Sequence, residues 1–397
     1  MLAVMSDTSI TSGIATAPDH GGVLSIDLGA VADNYRFLSL RAKRAETAAS
    51  VKGNAYGLGL EKIAGALRGV GCSTFFVAHI GEAAALRQVY PDPEVTIYVL
   101  NGLLPSTVGL YPRINARPVL GSIEEIQEWA IFASTHEAPP AAVQIDTGFT
   151  RLGLTSGDKA ELAEAASLVK GIDVSLVMSH LACGDDPNHC LNVKQLEQFE
   201  TARQYFPNVP ASLANSAGIA LGSKFRFNMV RPGIALYGGT CNVSGANDMR
   251  QVVSLNVPII QLRTAPARST AGYGATYRFP IDRRIALVSL GYADGFARIY
   301  SASNTQFGGQ LFLNGTSCPV VGRISMDITA IDVSHLDKHI AKRGALVEVL
   351  GPNQTIDDLA RLGKTIPYEV LTRLGLRHRR VYSTNYIDTR QSGVLPT

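Results

Sequence analysis

Between Ala48 and Gly239 the chain repeats one local pattern, a short β-rich run, a loop and an amphipathic helical segment. The β-rich runs are Ala48–Val51, Thr74–Ala78, Val95–Leu100, Ala116–Leu120, Ala141–Ile145, Val174–Ser179, Val209–Leu213 and Asn228–Val230. Helical spacing is clearest at Leu60, Ile63, Ala64, Leu67 and Gly71, then over Lys159–Val169 and Asn192–Tyr205. Ser122-Ile123-Glu124-Glu125 reads as a capping box that opens another helix. Eight strands alternating with helices predict a parallel sheet closed as a (β/α)8 barrel of the TIM type. In that fold reactive groups belong at the C-terminal ends of the strands.

After Gly239 helical periodicity fades. Val252–Val257, Ile285–Leu290, Gln310–Leu313, Pro319–Val321 and Leu346–Leu350 alternate with Gly, Asn and Pro turns, which predicts a mainly antiparallel β domain. A late helix is expected over Tyr368–Leu374, and Val23–Asp27 reads as a strand added to the β domain from before the barrel. The expected organisation is an N-terminal tail (1–22), a cofactor-binding barrel (23–243), a β domain (244–388) and a C-terminal tail (389–397).

A chain of 397 residues that is 46% hydrophobic and 17% charged can bury two such cores. A net charge of +3 gives no support for a nucleic-acid groove. The cluster Arg373, Arg377, His378, Arg379, Arg380 therefore reads as a solvated face or an interface. No run is long and apolar enough to predict a membrane span. Five cysteines without a CxxC pair indicate neither a disulfide framework nor a zinc site. The N-terminus lacks a signal-peptide pattern, and together these features point to a cytoplasmic setting.

Lys52 stands where the first apolar run gives way to Gly53-Asn54-Ala55-Tyr56-Gly57. An amine at the end of a buried strand has its pKa lowered by desolvation, which suits Schiff-base chemistry. The other strands end in equally distinctive groups. The fifth ends in Asp146-Thr147-Gly148-Phe149-Thr150-Arg151, the sixth at His180, the seventh in Asn215-Ser216 and the eighth in Arg231-Pro232-Gly233-Ile234. Singly, each has an ordinary reading: a loop arginine, a core histidine, a turn asparagine, a helix-capping serine. Their convergence on one mouth does not. An imine-forming lysine needs an aldehyde. Ser216 and the backbone N–H groups of Gly233 and Ile234 suit a phosphate. His180 could stack on an aromatic ring and Arg231 donate to a ring nitrogen. Pyridoxal 5′-phosphate meets that set of needs, with no metal.

The motif Val51–Gly57 resembles the cofactor-lysine signature of the alanine racemases. So do Asp146–Gly153, Asn215-Ser216-Ala217, Val230–Gly238, Gly272-Tyr273-Gly274, Gly291–Gly295, Gly322–Asp327 and Tyr368-Glu369. The likeness runs from about Leu24 to Tyr382. It implies a pyridoxal-phosphate-dependent racemase that interconverts L- and D-alanine with two bases, Lys52 and Tyr273, supplying D-alanine for peptidoglycan. Tyr273 would come from the β domain of a second subunit, so a homodimer is implied. Tyr56, Ser216, Gly233, Ile234 and Tyr368 resemble the phosphate-binding set, with His180, Asn215 and Arg231 around the ring. Arg151 resembles the residue near the cofactor's phenolic oxygen, and with Met326 a contact to the substrate. Asp185, Tyr292, Arg298 and Arg323 resemble the residues of a narrow entry suited to a small side chain. Arg231 beside the pyridine nitrogen would make the ring a weaker electron sink than a carboxylate partner would.

The sequence departs from the family pattern at Gln144, where many relatives carry a lysine that can be carbamylated. Arg151 is then expected to be held by an anion or by Gln144 itself. Leu58, Ser325 and Pro367 are further departures, and none removes a catalytic group. Alternatives are a racemase of broader specificity (serine, lysine), an amino-acid decarboxylase on the same barrel, and a non-catalytic cofactor carrier.

Overall fold

A computed structural model of the chain describes residues 21–241 and 247–383. The expected tails, apart from 21–22, and the expected boundary at 243/244 lie outside the described residues. The chain divides into two compact units, one of Asp27–Val252, the other of Val253–Ser383 with the segment up to Ile26.

The first unit is the expected barrel. Glu46–Thr47 and Ala49–Ser50 form its first strand, interrupted at Ala48. Thr74–Val77, Thr96–Val99, Arg117–Leu120, Ala141–Asp146, Val174–Met178, Ala211–Ser212 and Met229–Val230 follow in order. Successive strands pair in parallel from Ala49↔Phe75 round to Ser212↔Met178. Closure is made by Met229↔Glu46 and Val230↔Thr47, and by Arg231 N–H donating to Ala214 O at 2.9 Å. The strands are shorter than the apolar runs that predict them, because residues such as Val51 and Leu213 continue into the rim loops. Ala48, Phe76, Tyr98, Val119, Ala142, Leu176, Met178 and Met229 fill the interior. Phe76 and Tyr98 stack at 4.9 Å. Burial of each large side chain in such a core stabilises the fold by about 1.5–3 kcal/mol.

The helices occupy Leu60–Gly69, Ile80–Val89, Ile123–Ala133, Lys159–Leu168 and Cys190–Ala202, with Leu28–Ala42 entering the barrel. Gly71, included in the expected first helix, lies beyond it at φ 96°. Ser122 caps its helix by accepting from Glu125 N–H at 3.3 Å, but the expected reciprocal box does not form. The Glu125 carboxylate instead accepts from Gly121 N–H and Leu103 N–H, two unpaired donors at neighbouring strand ends.

The second unit is built on one 13-residue strand, Val253–Ala265, whose first seven residues alternate buried and half-buried. It pairs antiparallel with Val23–Ile26, Leu346–Leu350 and Arg283–Val288. The segment before the barrel therefore does join the β sheet. Gln310–Leu313 pairs with Thr316–Pro319, and Thr329–Asp332 with Arg283–Val288. The expected late helix is Pro367–Thr372. A helix at Ile356–Leu362 was not foreseen; its signal is Thr355, which caps it in a reciprocal box with Asp358.

Candidate active site

Each strand-end residue singled out in the barrel lies at the expected rim. Lys52 follows directly on the last bond of the first strand, Val51 N–H to Phe76 O at 2.9 Å. It is half-buried. Burial, then the cation of Arg151, lowers its pKa; Glu82 opposes this and Arg231 adds to it. More of the amine is thus neutral near pH 7 than in an exposed lysine, as a nucleophile or base requires.

The chain then turns left-handed. Gly53, Asn54, Ala55, Tyr56 and Gly57 have φ of 65°, 55°, 52°, 57° and 85°. For L-residues this costs about 1–2 kcal/mol each, less for asparagine. Ala55 N–H to Val51 O and Gly57 N–H to Gly53 O, both 2.8 Å, close the turn, and Leu60 N–H donates to Asn54 Oδ1 at 2.8 Å. One such turn separates Lys52 from Tyr56, whose ring packs 4.5 Å from that of Tyr237. The flanking glycines are the only sequence signal for it.

Arg231 is buried. One terminal nitrogen donates to Ser212 Oγ, the other to Ser179 O at 2.5 Å, and Phe76 lies 5.8 Å beneath the guanidinium. Ser212 in turn donates to Met229 O at 2.7 Å. Burial pulls the pKa of Arg231 down to about 9, so the group stays charged at pH 7. Ser179 and Ser212, which place it, are residues that the strand-end reading missed. They sit on the two neighbouring strands, and only pairing brings them to the arginine.

His180 is half-buried, with its ring edge-on to Phe149 and its Nε2 3.5 Å from Asn215 Nδ2. Burial, then Arg231, Arg151 and Lys52, hold its pKa well below the ordinary 6.5. The folded state therefore keeps this ring neutral where the unfolded chain would protonate it. Stability is fully present above pH 6.5 and falls as pH drops below it. His180→Asn is expected to flatten the decline in urea midpoint between about pH 6.5 and 5. An unchanged slope would contradict this assignment.

Ser216 is not a helix cap. Its Oγ accepts from Gly233 N–H at 2.8 Å and from Ala235 N–H at 3.4 Å, which ties the seventh strand end to the eighth. Ile234, the next residue after Gly233, is fully buried. Gly233 is obligatory for space, since a Cβ there would stand 2.2 Å from Tyr56 Oη. The Ser216 hydroxyl and the Tyr56 hydroxyl thus both lie against Gly233. That donor set is the one an oxyanion such as phosphate requires.

Gln144 does not hold the Arg151 side chain. Its Nε2 donates to Leu152 O at 2.8 Å, while the Arg151 guanidinium lies 4.1 Å over the Phe149 ring. Asp146 fixes the loop backbone, accepting from Gly148, Phe149, Thr150 and Arg151 N–H groups. Asp185 is exposed in the barrel unit.

The remaining residues lie in the β unit. Tyr273 is 70% exposed, a large surface for a phenol, and starts a short turn between two left-handed glycines. The Arg323 backbone and guanidinium lie against Gly272 and Gly274. Met326 and Tyr292 are exposed on two loops joined by Tyr292 N–H to Ser325 O and Ala293 N–H to Met326 O, both 3.1 Å. A Cβ at Gly291 would stand 2.1 Å from Met326 O, so glycine is what lets these loops touch. Arg298 is exposed, and Tyr368 is 37% exposed on the Pro367–Thr372 helix.

The barrel mouth thus combines a poorly solvated amine, a fixed guanidinium, a neutral imidazole and a phosphate-like cradle. This defines the class of barrel enzymes that bind a phosphorylated aromatic aldehyde through a lysine. Residues 26–241 match the family model described as alanine racemase, N-terminal domain, and residues 252–382 that described as alanine racemase, C-terminal domain. A protein of Agrobacterium fabrum named as a catabolic alanine racemase is 44% identical over 91% of this chain and 92% of its own. An alanine racemase of Methylobacterium nodulans is 45% identical over 91% of this chain and 96% of its own. The crystal structure of alanine racemase from Bartonella henselae with covalently bound pyridoxal phosphate superposes with a TM-score of 0.86. It is 38% identical and covers 92% of this chain and 100% of that one. The chain belongs to the alanine racemase family.

Proposed function

We propose that this protein is a pyridoxal-phosphate-dependent racemase that interconverts L-alanine and D-alanine. The observation that carries the reading is the barrel mouth itself, where Lys52, Arg231 and the Ser216–Gly233–Tyr56 cradle come together on successive strand ends around the closure. The donor set fits the cofactor. Tyr56, Ser216, Gly233, Ile234 and Tyr368 would hold its phosphate, His180 and Asn215 its ring, Arg231 its ring nitrogen, and Lys52 its aldehyde carbon. When bound, pyridoxal phosphate supplies an electron sink that makes the α-hydrogen of an amino acid acidic.

Racemisation needs that proton removed from one face and returned on the other. One amine cannot serve both faces, so a second base is required. Lys52 Nζ takes or gives the proton on its side. Tyr273 Oη does so on the other, supplied by the β unit of a second copy in a homodimer. Arg231 can donate but not accept, which discourages full protonation of the ring nitrogen and limits side reactions. Arg151 and the Met326 N–H serve the substrate carboxylate. Asp185, Tyr292, Arg298 and Arg323 narrow the entry in favour of a methyl side chain.

The test is a panel of L-amino acids incubated with the purified holoenzyme and scored for D-enantiomers. Alanine is expected to rank first. A low rank for alanine would overturn the substrate assignment, and release of carbon dioxide would favour a decarboxylase.

A further inference from the structure

One carboxylate outside the donor set described above reaches the turn that carries Lys52. Glu82 is the third residue of the helix Ile80–Val89, which follows the second barrel strand. Its Oε2 accepts from Ala78 N–H at 2.8 Å and His79 N–H at 3.3 Å, at the end of its own strand. Its Oε1 accepts from Gly53 N–H at 2.6 Å and Asn54 N–H at 3.2 Å, the first two amides after Lys52. Four strand-end amides of two neighbouring strands therefore converge on one side chain. Two of them belong to the left-handed turn Gly53–Gly57, a conformation that Ala55 and Tyr56 adopt only if surrounding contacts hold it.

We infer that Glu82 is a positioning residue for racemisation, which holds the left-handed turn so that Lys52 and Tyr56 stay in register with each other. The inference rests on the proposed role of Lys52 as cofactor amine. Charge-assisted bonds to backbone N–H groups are shorter and stronger than neutral ones, so a carboxylate does this better than an amide would. Glu82 is also the anion that acts on Lys52, against burial and the cations of Arg151 and Arg231. The fold supplies its own control. Glu125, also third in its helix, bridges Leu103 N–H at 2.9 Å and Gly121 N–H at 2.5 Å in the same manner, two strand ends further on. No imine-forming lysine stands there.

The experiment compares holoenzymes of Glu82→Gln, Glu125→Gln and Glu82→Gln with Ala55→Gly. Each is read by kcat, KM, and the pH midpoint of the absorbance of the lysine-bound cofactor. Glu82→Gln is expected to lower kcat by about tenfold or more with KM within about threefold, as a misplaced reacting group does. Its absorbance midpoint should move to lower pH, because an anion near the amine has gone. Glu125→Gln should change none of the three readouts. Ala55→Gly, which enters left-handed backbone without a Cβ penalty, should recover part of the kcat loss. Native values in Glu82→Gln, equal losses in Glu125→Gln, or no recovery in the double variant would each overturn the inference. If the amide does not fold, Glu82→Asp is read the same way, since its shorter carboxylate cannot span both strand ends. Borohydride reduction and peptide mapping separate the two levels. Cofactor fixed elsewhere than Lys52 ends the reading of the site, whereas cofactor on Lys52 with indifferent Glu82 variants ends only this inference.

Discussion

Tyr273→Phe is expected to lower racemisation by about a thousandfold, within the range of lost general acid–base catalysis. The ring stays and only the proton-carrying oxygen goes. Exchange of the α-hydrogen with solvent deuterium should persist for one enantiomer, because Lys52 still serves its own face. Inversion should be what disappears. Within its own chain Tyr273 is 70% exposed, so removing its hydroxyl disturbs no core of its own unit. The decisive form of the test uses two inactive chains. In the proposed homodimer, co-expressed Lys52→Ala and Tyr273→Phe chains would pair at random, half the dimers would be mixed, and each mixed dimer would rebuild one of two sites. About a quarter of native activity should return. Retained inversion in Tyr273→Phe, or no recovery on co-expression, would remove the second base or the shared site.

Lys52→Ala has the second large effect. Racemisation should fall by about ten-thousandfold or more, since the covalent anchor and one base are lost together. The bound cofactor should then show the absorbance of a free aldehyde. The cofactor-free chain carries a separate signature with a determined sign. Burial depresses the pKa of Lys52 from its ordinary 10.5, so the unfolded state binds this proton more tightly than the folded state. This group by itself makes stability rise with pH from the depressed value up to about 10.5. Lys52→Ala should remove that contribution, measured as a shallower change of urea midpoint over the alkaline range than in the native chain. A variant with the native slope would show that the amine is not desolvated.

The barrel was legible because its evidence is periodic. Eight β-rich runs at helix-length spacing admit few other closed architectures, and chain order in such a barrel is also spatial order. Placing Lys52, Arg151, His180, Ser216 and Arg231 at one rim therefore needed no distances. The added strand Val23–Asp27 could be assigned to the β sheet on texture alone. The errors are local in origin. Glu125 beside Ser122 satisfies the capping-box pattern, but stronger demand from Gly121 and Leu103 takes its carboxylate away. Gln144 near Arg151 suggested a direct contact, yet an amide hydrogen is better used on the Leu152 carbonyl, which would otherwise lack that donor.

The sequence by itself determined which chemical groups reach the barrel mouth and in what order, because strand ends are set by local hydrophobic pattern. Only the tertiary structure decided what each group is held by. The serines that grip Arg231, the bond from Gly233 to Ser216 and the carboxylate on the left-handed turn all join residues far apart in the chain. Such contacts depend on strand neighbourhood and on unpaired backbone donors seeking acceptors, and neither leaves a periodic trace in the order of amino acids.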